Sequence, residues 1–235
     1  MHNMGIYAIW GPPQSGKTTL AVNLAYAASR GDKSVCLISP APYSEFSAFL
    51  GVKIPKEKSL YAALRGNAGI RQTVYKADEL LFLLATPINA DAFDDDYSDD
   101  QVKSLLALAQ LTFDIVIVDC PTEPNNLFAA WALNRADKIL LTLGGHPSSL
   151  LWHGANQKAL QAISGKTVYI GSAVVSDFDY SSMYELLKCT PKIDIPYVRE
   201  APLLQNEGKL ILGLSGKKGK AYRHALNQLY EVMNT

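Results

Sequence analysis

Short apolar runs rich in β-branched residues alternate along this chain with longer stretches whose apolar positions recur at helical spacing. That alternation is the sequence form of a parallel sheet flanked by helices. Strands are predicted near Ile6–Trp10, Ser34–Ser39, Leu80–Ala85, Ile115–Asp119, Lys138–Leu143, Thr167–Val175 and Ile193–Ile195. Helices are predicted near Lys17–Ser29, Asp99–Leu111, Asn125–Asn134, Leu150–Ile163, Ser181–Leu187 and Lys218–Met233. Ser98-Asp99-Asp100-Gln101 has the form of a capping box, with acids suited to the positive end of the helix dipole. The last helix places Tyr222, Leu226, Leu229, Tyr230 and Met233 on one face, which reads as a docked core helix ahead of a membrane anchor. No internal repeat or shift in composition divides the chain. Residues 1–235 therefore read as one α/β domain, a mostly parallel twisted sheet with helices on both faces.

Composition narrows the partners more than the fold. Of 235 residues, 48% are hydrophobic and 19% charged, and 22 basic side chains balance 22 acidic ones. A chain with no net field does not coat nucleic acid over its whole surface, although a local basic patch remains open to phosphates. Lys209, Lys217, Lys218, Lys220 and Arg223 form such a patch, a candidate for weak contact with nonspecific DNA or anionic lipid against the plainer reading of a solvated helix start. Three widely spaced cysteines, Cys36, Cys120 and Cys189, suit a reduced, cytoplasmic chain. No apolar stretch approaches a membrane span and Met1-His2-Asn3-Met4 lacks the form of a signal peptide, so any membrane contact is expected to be peripheral. The acidic run from Asp91 to Asp100 reads as a solvated loop and cap, with a cation site as the alternative.

The chemistry is concentrated in Gly11-Pro12-Pro13-Gln14-Ser15-Gly16-Lys17-Thr18, which fits G-x-x-x-x-G-K-[ST] between a predicted strand and a predicted helix. In that context backbone amides and the helix dipole converge on a polyphosphate. Gly11 and Gly16 allow close approach of the backbone, with Gln14, Ser15 and Thr19 completing the cradle. Lys17 brings a point charge to the β- and γ-phosphates, and Thr18 offers its hydroxyl to Mg²⁺. Pro12 and Pro13 remove two donors ahead of the cradling amides and stiffen the loop. The natural partner is the strand Ile115–Asp119, which delivers Asp119 to the carboxyl edge of the sheet, where it would orient a magnesium-bound water.

Together these features resemble the ParA/MinD group of deviant Walker P-loop ATPases over nearly the whole chain. The resemblance rests on the loop, on Asp114-x-x-x-x-Asp119-x-Pro121, on Ala136–Leu141, and on Ile195-Pro196-Tyr197 followed by Asn206-Glu207-Gly208-Lys209. It implies ATP and Mg²⁺ as ligands, Lys17 and Asp119 in the catalytic positions, and Pro196 and Tyr197 in the adenine pocket. It further implies an ATP-dependent homodimer that positions or recruits a partner assembly such as pilus, secretion, partition or conjugation machinery. Val174-Val175-Ser176-Asp177 departs from a place where relatives often carry an Asn for the base.

Two further departures bear on chemistry. Pro12 stands where relatives carry the signature lysine that crosses an ATP sandwich dimer, and Ser39 and Ala41 stand where relatives carry aspartates after the second strand. Loss of a transition-state cation and of a water-orienting carboxylate each removes several kcal/mol of catalysis. Tight MgATP binding with slow or absent hydrolysis is therefore expected, a weak ATPase at most. Loops this atypical are similar to those of the TadZ/CpaE branch. Glu123 is a weaker candidate to take over water orientation. A non-cycling, ATP-bound scaffold and a small-molecule kinase or ligase of the same P-loop class are the competing readings.

Overall fold

A computed structural model describes residues 5–66, 68–87 and 97–234. Eight strands form one sheet: β1 (Gly5–Trp10), β2 (Val35–Ile38), β3 (Tyr75–Lys76), β4 (Leu81–Leu84), β5 (Ile115–Asp119), β6 (Lys138–Gly144), β7 (Thr167–Val174) and β8 (Ile193–Pro196). Their spatial order is β3-β4-β2-β5-β1-β6-β7-β8. Every pairing is parallel except the two-residue edge between β3 and β4. The helices are α1 (Lys17–Ala28), α2 (Phe46–Leu50), α3 (Leu60–Leu64), α4 (Ile70–Thr73), α5 (Asp99–Thr112), α6 (Leu127–Arg135), α7 (Pro147–Ala155), α8 (Gln157–Ile163), α9 (Ser181–Leu187), α10 (Ala201–Asn206) and α11 (Gly216–Asn234).

The period of two along each strand sorts the core into two layers. Ile6, Ala8, Trp10, Cys36, Ile38, Val116 and Val118 face one side, where α3, α4, α5, α6, α8 and α9 bury their apolar positions. Tyr7, Ile9, Val35, Leu37, Ile115 and Ile117 face the other, against α1, Phe46 of α2, and α11. Strands covered on both faces need continuous apolar runs, which is why GIYAIW and IVIVD are buried at every position. The central strands β1, β5 and β6 bring their carboxyl ends together, and the loops that follow them carry the candidate chemistry.

Each predicted strand and every predicted helix but one is present, with bounds moved by a residue or a few. The capping box is formed: Ser98 Oγ accepts from the Gln101 amide at 3.3 Å and Gln101 Oε1 accepts from the Ser98 amide at 2.7 Å. The helix expected over Leu150–Ile163 is corrected to two, α7 and α8, divided at Asn156, whose side chain donates to the Trp152 carbonyl at 2.8 Å. It also begins earlier, because Pro147 supplies the preset φ of a first helical position. In α11, Tyr222, Leu226, Leu229 and Met233 are buried and Tyr230 packs at the margin of the same core. That face is used inside the fold, as a docked helix requires, and is not free to anchor a membrane. Among the described residues no helix is long and apolar enough to cross one. Residues 91–96, most of the acidic run from Asp91 to Asp100, lie outside the described residues.

Candidate nucleotide site

The loop from Gly11 to Thr18 leaves β1 and enters α1 with its conformation set by three positions of positive φ. Gly11 has φ 152°, Gln14 φ 57° and Gly16 φ 75°. A Cβ on Gly11 would lie 2.4 Å from Thr142 Oγ1 and 2.6 Å from the Thr142 carbonyl, so only glycine passes β6 there. Gln14 adopts the left-handed conformation without that exemption and carries its steric cost. Ser15 is buried; its hydroxyl donates to the Pro12 carbonyl at 2.8 Å and meets Thr142 Oγ1 at 2.6 Å. The Ser15 side chain therefore pins the loop to β6 and leaves only its backbone to face a ligand. Gly16 caps α1 with no side-chain acceptor, so the first-turn amides have no partner within the helix. Amides so placed, with the dipole behind them, suit a phosphate.

Lys17, Thr18 and Asp119 are brought together as expected. Thr18 Oγ1 donates to Asp119 Oδ2 at 2.8 Å. Lys17 Nζ donates to the Pro12 carbonyl at 2.8 Å and to Thr122 Oγ1 at 3.0 Å. Burial pushes the Lys17 ammonium below the usual lysine range, opposed by the negative charge of Asp119. Burial likewise pushes Asp119 up to about 7, against the Thr18 hydrogen bond and Lys17, with Glu45 adding to the rise. Asp119 Oδ1 is buried and has no hydrogen-bond partner. A buried carboxylate oxygen left in this condition costs free energy that a cation or an ordered water would recover.

Two cavities flank the loop. One, of about 550 Å³, is lined by Lys17, Thr18, Ser39, Ala41, Glu45 and Asp119, with Tyr43, Glu123 and Asn126 at its margins. The other, of about 320 Å³, is lined by Gln14, Gly16, Thr19, Pro196, Tyr197 and Gln205, and is closed at its apolar end by Ile195, Ile211 and Tyr222. Pro196 and Tyr197 thus meet the loop, on the side opposite Asp119. Thr19 faces this second cavity, where its Oγ1 accepts from Gln205 Nε2 at 2.8 Å. Gln205, Thr122 and Glu45 escaped sequence reasoning. Gln205 lies one residue before the Asn206-Glu207-Gly208-Lys209 motif, but its partner is 186 positions away. Glu45 enters the first cavity just beyond the aspartate-depleted stretch Ser39–Pro42, so a carboxylate does stand near the site, exposed and at the start of α2.

The basic patch is largely spent on internal contacts. Lys209 pairs with Glu207 at 2.8 Å and Lys218 with Glu200 at 3.1 Å. Arg223 donates to the Leu212 and Leu214 carbonyls, each at 2.7 Å. Of the five cations, Lys209 and Lys218 are thus paired with acids and Arg223 is engaged with carbonyls, while Lys217 and Lys220 are exposed, which agrees with the plainer reading of a solvated helix start. Pairs this exposed contribute little to stability, but they cancel charge that a polyanion would need.

A glycine-bounded loop at a central strand end, a helix N-terminus behind it, and a lysine lining one cavity with a hydrogen-bonded threonine and aspartate define a ParA/MinD-like P-loop ATPase. The AAA domain family model matches residues 14–162, more than half of the chain, and the chain belongs to that family. It is 31% identical over 127 residues to an uncharacterised ATP-binding protein of Methanocaldococcus jannaschii, a match covering 53% of this chain and 47% of that one. It is 26% identical over 136 residues to the chromosome partitioning protein ParA of Myxococcus xanthus, covering 54% and 47%. The chain thus spans about half the length of the curated relatives it matches. In fold it is similar to a ParA family ATPase from Chlorobium tepidum, with TM-score 0.80 and 16% identity over 95% of this chain and 99% of that one. It is also similar to the septum site-determining protein MinD of Pyrococcus horikoshii complexed with Mg-ADP, with TM-score 0.78 and 16% identity over 97% and 96%. The MinC:MinD complex of Aquifex aeolicus gives TM-score 0.79 and 18% identity over 96% of each chain.

Proposed function

We propose that the chain is a MgATP-binding switch that dimerises with nucleotide and positions a partner assembly, hydrolysing ATP slowly or not at all. The observation that carries the binding is the joint placement of Lys17, Thr18 and Asp119 around the loop, with one Asp119 oxygen buried and unpartnered. The residues fit magnesium: Thr18 supplies a hard oxygen, and Asp119 a carboxylate suited to holding a metal-bound water. Among the described residues no group of three or more His, Cys, Asp or Glu is placed to hold a metal, so the ion would come with the nucleotide and not be held in a cage of protein ligands. When bound, Mg²⁺ neutralises charge on the β- and γ-phosphates. The first-turn amides and Lys17 would hold the triphosphate, and the cavity of Pro196, Tyr197 and Gln205 would take the base. Similarity to proteins described as ATP-binding or complexed with Mg-ADP supports this reading.

Slow turnover is inferred from two positions in the cavity of Asp119: Ser39 and Ala41 offer no carboxylate there, and the acids that do line it, Glu45 and Glu123, are exposed. Pro12 is buried, so its position presents nothing to a partner's phosphates. Dimer closure must then come from other contacts. Tyr43 and Leu151 are exposed at 80% and 76%, and Phe178 and Tyr197 at 60% and 51%; all four follow carboxyl ends of strands, on the edge that holds the loop. A second copy would cover that apolar rim. The partner assembly is of the kind served by partition and septum-site proteins, with pilus or secretion machinery of the TadZ/CpaE type as the finer alternative. Gel filtration with and without MgATP, alongside single-turnover kinetics, tests the reading. A nucleotide-dependent increase in size with negligible turnover supports it; an unchanged monomer that demonstrably binds ATP removes the dimer.

A further inference from the structure

Thr122, three residues beyond Asp119, is the meeting point of four elements. Its hydroxyl accepts from Lys17 Nζ at 3.0 Å. Its carbonyl accepts from the indole of Trp10 at 3.2 Å and from the indole of Trp152 at 3.4 Å. Trp10 is the last residue of β1 and wholly buried; Trp152 lies in α7 and meets it edge to face with ring centroids 4.7 Å apart. Two indole donors on one carbonyl fix the backbone of this residue from both sides, and its β-branched side chain has a stiff χ1. The segment from Asp119 to Thr122 therefore holds both reactive side chains of the loop, Thr18 through the carboxylate and Lys17 through the hydroxyl.

We infer that Thr122 is a positioning residue, which holds the Lys17 ammonium over the phosphate loop before nucleotide arrives. The inference rests on the nucleotide-site reading above. An ammonium has three protons. Two are donated to Pro12 and Thr122, which leaves one directed donor for a phosphate oxygen. A lysine stem is long and flexible, and ordering it in advance spares the ligand that entropic cost. Thr122→Val keeps the shape and the carbonyl clamped by the indoles but removes the acceptor. Thr122→Ser keeps the acceptor on a looser side chain.

The test uses the full chain with Trp131→Phe, so that of its three tryptophans only Trp10 and Trp152 emit; Trp131 lies on α6 and donates to Asp99, away from the loop. MgATP and MgADP affinities by calorimetry, and the nucleotide-induced change in tryptophan emission, are compared for Thr122, Thr122→Ser and Thr122→Val. Loss of one hydrogen bond to a charged group predicts a dissociation constant raised about five- to tenfold in the valine protein, with the emission change displaced to correspondingly higher nucleotide. The serine protein stays within about twofold, as rescue by the retained hydroxyl requires. Equal affinities in all three proteins, or a serine protein as weak as the valine one, overturn the role of Thr122 and leave the nucleotide site standing. A valine protein whose nucleotide-free melting point falls together with its affinity also overturns it, since the residue is then merely structural. Absence of nucleotide uptake by the unsubstituted chain sinks the site and this inference together.

Discussion

Replacing Asp119 by Asn should stabilise the nucleotide-free protein at neutral pH while weakening its hold on MgATP. The carboxyl titrates at about 7 in the fold against 3.8 when unfolded, because burial disfavours its charge. A raised acid binds more protons folded than unfolded between those values, so its contribution to stability is lost as pH rises through that window and the loss is complete above it. At pH 8 the charged form costs up to about 4 kcal/mol at 1.36 kcal/mol per unit; near pH 5 it costs about 1.5 kcal/mol. The Asn amide escapes this, but brings a buried N–H₂ whose unmet donors cost roughly 1–3 kcal/mol at every pH. The cleaner quantity is the change in the difference between the two proteins, about 2–3 kcal/mol in favour of Asn between pH 5 and pH 8. Urea unfolding at both pH values, without nucleotide, measures it. Parallel pH profiles for the two proteins would refute the buried, elevated carboxyl. The same group makes magnesium-dependent nucleotide affinity rise with pH through about 7, as Asp119 ionises.

Gln14→Gly should relieve the left-handed residue at φ 57°. The strain removed exceeds the entropy glycine adds to the unfolded chain, leaving a gain of about 0.5–1 kcal/mol, or ~2 °C in melting temperature by calorimetry; a lower melting point would contradict it. Ala41→Asp returns a carboxylate to the cavity of Lys17 and Asp119. Single-turnover hydrolysis should then accelerate by about tenfold or more, and an unchanged rate would mean that the missing acid is not what slows the chemistry. Gln205→Ala removes the donor to Thr19 and one wall of the second cavity. Adenine nucleotide affinity should fall about threefold to tenfold by calorimetry, and an unaffected affinity would place the base elsewhere.

What the chain discloses before folding divides by sequence distance. The loop, the capping box and the apolar strand ending in Asp119 are local patterns, and each lies where its pattern places it. Pro196 and Tyr197 were reached through the resemblance, and they line a cavity with the loop. Contacts between distant positions left no such trace. Thr122 meets Lys17 across 105 positions, and Gln205 meets Thr19 across 186. Helices α2, α3 and α4 have four or five residues, too few for a helical period to appear, and β3 has two. Asn156 interrupts an apolar periodicity that runs on through α8, so the break was hidden by the very pattern used to find helices. The basic run gave no sign that Lys218 pairs with Glu200, 18 residues upstream, or that Arg223 turns inward to carbonyls.

The central claim is that the turn from Gly11 to Thr18 receives a triphosphate with its magnesium. Isothermal calorimetry of the folded protein with ATP, in magnesium and then in chelator, beside the Lys17→Ala protein, tests it most directly. The account predicts one nucleotide per chain, weaker uptake without magnesium, and an affinity at least about thirtyfold lower once the charged donor is gone. No heat from the unsubstituted protein, or equal affinity in the alanine protein, would contradict it.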